Sequence, residues 1–224
     1  MSERFEKVLS IVVGVAALAV AGIVVKREFS PKAAIASNAS ARPTGQLANW
    51  KSLLPAARLS DSALAPVVIV AFSDFECPFC KLFHQALRAV QQKHPGKITL
   101  AFVHYPIPSH RFAKPAARAA ECAFAQGKFQ GMIDALFAAQ DSLGLKTWTD
   151  YGRTAGIADT ALFRSCVASQ SEQAFVDRGT SAGKSVGVSG TPTILVNGWR
   201  LGAPPDEASL DEAVTRILAG KSAY

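Results

Sequence analysis

Apolar positions recur along this 224-residue chain with two different periods, and the order in which the periods alternate outlines a fold. The run Pro66 to Phe72, PVVIVAF, is continuously apolar and rich in β-branched residues, which predicts a strand buried on both faces of a sheet. From Phe79 the period changes. Phe79, Leu82, Phe83, Ala86, Leu87 and Val90 recur every three or four positions, predicting a helix that Pro95-Gly96 ends. A second apolar run, Lys97 to Tyr105, then predicts a parallel neighbour, because strand, helix and strand in so short a span make one right-handed crossover. Near the other end, TPTILVNGWRLG predicts two strands joined at Asn197-Gly198, and Leu210, Val214, Ile217 and Leu218 mark one face of a helix from about Pro205 to Gly220. Between these halves, residues 109–186 carry the pattern of four or five helices, near 112–126, 128–140, 147–155, 159–168 and 172–186. A crossover requires only about a dozen residues, so this stretch is expected to form an inserted helical subdomain, with 61–108 and 187–224 as the two parts of an α/β domain.

The N-terminal pattern is of another kind. Val8 to Val25, VLSIVVGVAALAVAGIVV, has no charge and is about long enough to cross a bilayer as a helix. Residues 1–29 are therefore expected to be a membrane anchor or a signal peptide. KREFSPK follows at once where a small-residue cleavage site would stand, which favours the uncleaved anchor. Residues 30–60 are expected to be a linker, with 30–48 rich in Ala and Ser and without apolar periodicity. Within it Asn38-Ala39-Ser40 matches a glycosylation sequon, which matters only in a eukaryotic secretory setting. With 49% hydrophobic and 18% charged residues the remainder is globular material. The net charge of +7 does not argue for nucleic acid, since Lys and Arg are scattered and the longest basic run is Lys26-Arg27.

Chemistry enters at FSDFECPFCKLF, residues 72–83, where Cys77 and Cys80 stand two residues apart directly after the first strand. That position puts Cys77 at the mouth of a helix, where unpaired N–H groups and the helix dipole stabilise an anion. Pro78 fits the first helical position because its missing donor would be unpaired there anyway. Cys77 is thus the expected thiolate nucleophile, and Cys80, one turn inside, the resolving thiol. A structural bridge would close too small a loop to stabilise much. A zinc site on Cys77, Cys80 and His84 lacks a fourth ligand, so no metal is expected and His84 is read as a helix-surface residue. A second marker is SGTPT, with Thr191 and Pro192 just before a strand, a setting for a cis peptide bond.

Taken together, FSDFECPFC, the helical insertion and GTPT followed by strand, hairpin and helix resemble the DsbA family of thiol-disulfide oxidoreductases, over roughly residues 60 to 222. The resemblance implies a thioredoxin fold with the cis-proline packed against the redox pair, and substrate contacts at Thr191, Pro192, Pro78 and Phe79. It implies transfer of disulfides to reduced exported polypeptides, reoxidation by a quinone-linked membrane oxidase, no cofactor, and a monomer on the periplasmic or extracytoplasmic face of the inner membrane. Two departures stand out. The position six residues before the first cysteine, where relatives carry a buried acid, is Ala71, leaving Asp74 or Glu76 as substitutes; and the dipeptide between the cysteines is Pro-Phe, where strong oxidases have Pro-His. Cys122 and Cys166 lie near apolar faces of the insertion, and in an oxidising compartment they are expected to form a structural disulfide, as in some relatives. Disulfide reduction or isomerisation is the alternative function, favoured by Thr191 before the cis-proline; a non-enzymatic tethered binding module is the alternative of another class.

Overall fold

In the computed structural model, which describes residues 42–60 and 63–224, the sheet begins where the apolar pattern is silent. β1 (Pro43–Gln46) and β2 (Arg58–Leu59) flank a 3-10 helix at Trp50–Ala56. Part of the stretch expected to be a linker is therefore built into the domain. The reason it escaped the pattern is physical: β1 is an edge strand whose residues Thr44, Gly45 and Gln46 face solvent, so no alternation of apolar side chains marks it. The apolar run Val8–Val25 and the sequon at Asn38 lie outside the described residues, and among the described residues no helix is long and apolar enough to cross a membrane.

The centre follows the sequence. β3 (Val67–Ser73) is buried along all seven residues and pairs in parallel with β4 (Ile98–His104), from Val67 opposite Ile98 to Ser73 opposite His104. The crossover is α1 (Pro78–Lys93). β5 (Thr193–Val196) runs antiparallel to β3 and turns at Asn197-Gly198 into β6 (Trp199–Leu201), giving the sheet order β1-β6-β5-β3-β4-β2. Asn197 adopts a positive φ of 45° and Gly198 one of 89°, as such a two-residue turn demands. The last helix, α7 (Glu207–Leu218), is capped by Asp206, whose side chain accepts from the Ser209 N–H.

Between β4 and β5 lie five helices: α2 (Ala113–Phe124), α3 (Phe129–Ala138), α4 (Trp148–Thr154), α5 (Thr160–Ser169) and α6 (Gln173–Ser185). Their order and number match the sequence pattern to within about two residues at each end, which is the usual uncertainty of helix termini. One face of the sheet, with Ile69, Ala71, Leu100 and Phe102, packs under α1, α2, α3 and α7. The other, with Val70, Phe72 and Val103, is covered by Leu53 of the 3-10 helix and by α6. Gly179 lets α6 sit this close, since a Cβ there would lie 2.5 Å from the His104 carbonyl oxygen.

The insertion is fastened twice. Cys122 and Cys166 form the expected disulfide, with Cα atoms 5.8 Å apart, joining α2 to α5. The second fastening is a buried ion cluster. Glu121 of α2 accepts 2.8 Å bonds from Arg58 of β2 and from His104 of β4. Burial opposes its charge, but His104 and Arg58 outweigh that and hold the carboxyl below its usual range. The Arg58 guanidinium is itself clasped between the rings of Phe124 and Phe175, at 3.7 and 3.6 Å from their centroids.

Candidate active site

The first helical turn of α1 carries the redox pair. Cys77 is the N-cap residue, with extended backbone, and Pro78 occupies the first helical position, as the chemistry of helix starts predicts. Both cysteines are free thiols. Pro78 and Phe79 project from the surface; Phe79 is 60% and neighbouring Leu82 59% exposed, an unusual apolar display beside two reactive sulfurs. Cys77 is only 4% exposed and Cys80 fully buried, so Cys77 is the outer sulfur of the two.

The two thiols are held at opposite ends of the titration scale. Cys77 is lowered from 9.0 to about 6, first by the hydrogen bond it receives from the Cys80 thiol, then, against the effect of burial, by the N–H groups of Cys80 and Phe79 and by Thr191. Cys80 is pushed far above the usual thiol range by burial, and further by its bond to Cys77 and the negative charge there. One proton between two sulfurs is thus the resting state near neutral pH.

The Thr191-Pro192 bond is cis, and it brings position 191 against the outer sulfur. As a thiol, Cys77 donates to the Thr191 carbonyl oxygen at 3.3 Å. The Thr191 hydroxyl is buried and has no partner among the described residues in that state, and it is the group that donates to the sulfur once the proton leaves. The two sites predicted from sequence to face each other do so.

The acids near the pair are otherwise engaged. Asp74 accepts from the Glu76 N–H, the Ile107 N–H and His110, each within 2.7–2.8 Å, while its own N–H points at Cys80 Sγ, 3.5 Å away. Glu76 accepts from the Phe112 N–H at 2.6 Å. Both carboxylates brace the turn, and Ala71 offers no acceptor inside the strand. His84 does not lie on the helix surface: it is 7% exposed, bonded to Asp134 at 2.7 Å and packed at a tilt against the Phe137 ring, so it ties α1 to α3. Sequence reasoning missed Gln140 and His110, since neither stands in a motif and each reaches the loop from a distant part of the chain.

A family model described as thioredoxin matches residues 62–216. The chain belongs to the thioredoxin family. Among solved structures it is similar to DsbA2 of Pseudomonas aeruginosa, with 28% identity and a TM-score of 0.57 over 67% of this chain and 87% of that one. BdbD of Bacillus subtilis, in its oxidised form, gives a TM-score of 0.65 at 20% identity over 81% and 98% of the two chains. A thioredoxin-like oxidoreductase of Silicibacter pomeroyi gives 0.62 at 23%, over 77% and 99%. The helical insertion between the two halves of the fold makes this member DsbA-like. Curated relatives include a Na+/H+ antiporter NhaA 1 of Mycolicibacterium vanbaalenii, 36% identical over 155 residues, which are 67% of this chain but 25% of that protein. An NhaA 3 of Salinispora tropica is 34% identical over 69% of the chain and 24% of its own length. The chain spans about a quarter of the curated relatives it matches.

Proposed function

We propose that this protein-disulfide oxidoreductase introduces disulfides into exported polypeptides outside the cytoplasm, through exchange at Cys77 and Cys80. The observation that carries the reading is the asymmetry of the pair, a surface-side sulfur stable as a thiolate and an inner sulfur stable as a thiol. A substrate thiolate attacks Cys77 Sγ of the oxidised pair; the Cys77–substrate disulfide forms, and Cys80 leaves and takes a proton. A second substrate thiolate then attacks the substrate sulfur of that mixed disulfide. The product disulfide departs, and Cys77 is released as a thiolate, the good leaving group its low pKa makes it. At pH 7 a group titrating at about 6 is roughly nine-tenths ionised, against a few per cent for an ordinary cysteine. Phe79 and Leu82 supply an apolar landing for unfolded chains, and the backbone at Thr191 and Pro192 lies beside the bond being exchanged.

In this reading the protein is a monomer held on the periplasmic face by residues 8–25. A quinone-linked membrane oxidase accepts the electrons that Cys77 and Cys80 collect. No antiport is proposed for it. The test is the equilibrium of the Cys77–Cys80 pair against a glutathione buffer, together with two variants. An oxidising equilibrium constant is expected, with Cys77→Ser inactive and Cys80→Ser accumulating mixed disulfides. A constant as low as that of cytosolic reductants, which the alternative of a reductase or isomerase requires, overturns the assignment of direction; full exchange by Cys77→Ser overturns the site.

A further inference from the structure

One side chain of the helical insertion, Gln140, hydrogen-bonds to the main chain of the redox loop. Gln140 opens the short 3-10 turn (Gln140–Ser142) that follows α3, and it is buried. Its amide nitrogen donates to the Phe75 carbonyl at 2.8 Å and to the Cys77 carbonyl at 2.9 Å, so both of its hydrogens are spent on carbonyls of the residues on either side of Glu76. The Cys77 carbonyl is also the first acceptor of α1, receiving Cys80 N–H at 3.1 Å and Lys81 N–H at 3.3 Å. The orientation of that carbonyl and the direction of the Cys77 side chain are set by the same backbone torsions, at the residue where the chain passes from extended to helical.

We infer that Gln140 is a positioning residue for the redox pair: by clamping the Phe75 and Cys77 carbonyls it holds the Cys77 sulfur against the α1 N–H groups and Thr191. The inference rests on the reading of Cys77 as the exchanging sulfur. The carboxylates of Asp74 and Glu76 fasten the same loop to the 107–112 side, accepting from the Ile107 and Phe112 N–H groups and from His110, so there the loop is held by its own side chains. Gln140 grips the main chain at positions 75 and 77. A neutral side chain that donates twice suits two converging carbonyl dipoles; a carboxylate would set lone pairs against them.

The experiment titrates Cys77 by the pH dependence of its alkylation in the full chain, and measures the glutathione equilibrium and the melting temperature alongside. Gln140→Met keeps the volume and removes both donors. It is expected to raise the Cys77 midpoint by about 0.5 to 1 pH unit and to shift the equilibrium roughly three- to tenfold toward the disulfide. Tyr151→Phe is the structural control, because its hydroxyl bonds the Ala139 carbonyl at 3.0 Å, next to Gln140 but off the loop. It should lower the melting temperature and leave the midpoint in place. Should Gln140→Met not fold, Gln140→Leu, which is also uncharged and has no donor, is read the same way. An unmoved midpoint in the Gln140 variants, or an equal movement in Tyr151→Phe, overturns the inference. The proposed function fails separately, by exchange surviving in Cys77→Ser.

Discussion

Replacing Thr191 with Val removes one hydroxyl and almost no volume, at the point where the cis-proline segment touches the outer sulfur. With Cys77 protonated, that hydroxyl is buried and without a partner among the described residues; with Cys77 ionised, it donates to the thiolate. The substitution therefore leaves the thiol and disulfide states untouched or slightly better off and takes a bond only from the thiolate. A hydrogen bond to a charged group is worth about 1.5–3 kcal/mol. Thr191 stands behind the thiol and the N–H of Cys80, though ahead of the Phe79 N–H, in its effect on Cys77, so the lower end applies, and about 1.4 kcal/mol is one pKa unit. The midpoint should move from about 6 to roughly 7. At pH 6 the thiolate fraction then falls from about one half to one tenth, and alkylation of Thr191→Val should run about fivefold slower there. Above both midpoints the glutathione equilibrium should shift about tenfold toward the disulfide, making the protein a weaker oxidant. Stopped-flow alkylation across pH 4 to 9 reads the first effect. A midpoint that stays or falls refutes the account of what holds the charge at Cys77.

Two further outcomes follow from the same geometry. The Cys77 pKa is lowered in the folded protein, so its stabilisation of the reduced form is complete above about 9 and is lost as pH falls through about 6. Reduction consequently takes up one proton in that window and two below it, and the potential should change by about 30 mV per pH unit above pH 6 and by about 60 mV per unit below; a single slope across pH 4 to 8 contradicts the shared proton. The Cys122–Cys166 bridge spans a sequence separation of 44, and on the entropy model its loss through Cys122→Ala with Cys166→Ala should lower stability by about 4 kcal/mol in denaturant titration, whereas a change under about 1 kcal/mol would show that the insertion is held by its other contacts.

What the sequence made visible and what it hid divide along physical lines. β3 and all five inserted helices were legible because burial imposes a period, and a period survives in one dimension. Cys77, Pro78 and Cys80 were legible for a related reason, since the start of a helix leaves a local signature in residue type. β1 was invisible: an exposed edge strand has backbone partners and no side-chain pattern. Arg58 also stood in the presumed linker, and nothing nearby announces that its guanidinium closes on Glu121 and two aromatic rings. His84 misled because charge-bearing residues usually face water, while here Asp134 satisfies the imidazole and Phe137 covers it. Gln140 was hidden for the deepest reason: its two bonds join positions more than sixty residues apart, and a glutamine at the end of a helix carries no local mark of what it will meet.

Ala71 bears on direction as well as on resemblance. A reductase or isomerase needs Cys80 to lose its proton and attack the mixed disulfide at Cys77, so a nearby base speeds the step. Strand β3 places a methyl group where a carboxylate could serve, and the nearest carboxylate in sequence, Asp74, already accepts from two N–H groups and His110. In the reduced pair the Cys77 thiolate itself receives the Cys80 proton's hydrogen bond, but in the mixed disulfide that acceptor is consumed. Resolution by Cys80 is therefore hindered at the moment it would be required. A second thiol on the substrate, exposed to solvent and free to ionise, meets no such obstacle. The competition favours escape of the substrate as its own disulfide, with Cys77 leaving as a thiolate, and this supports oxidation over reduction from one of the two places where the chain departs from its relatives.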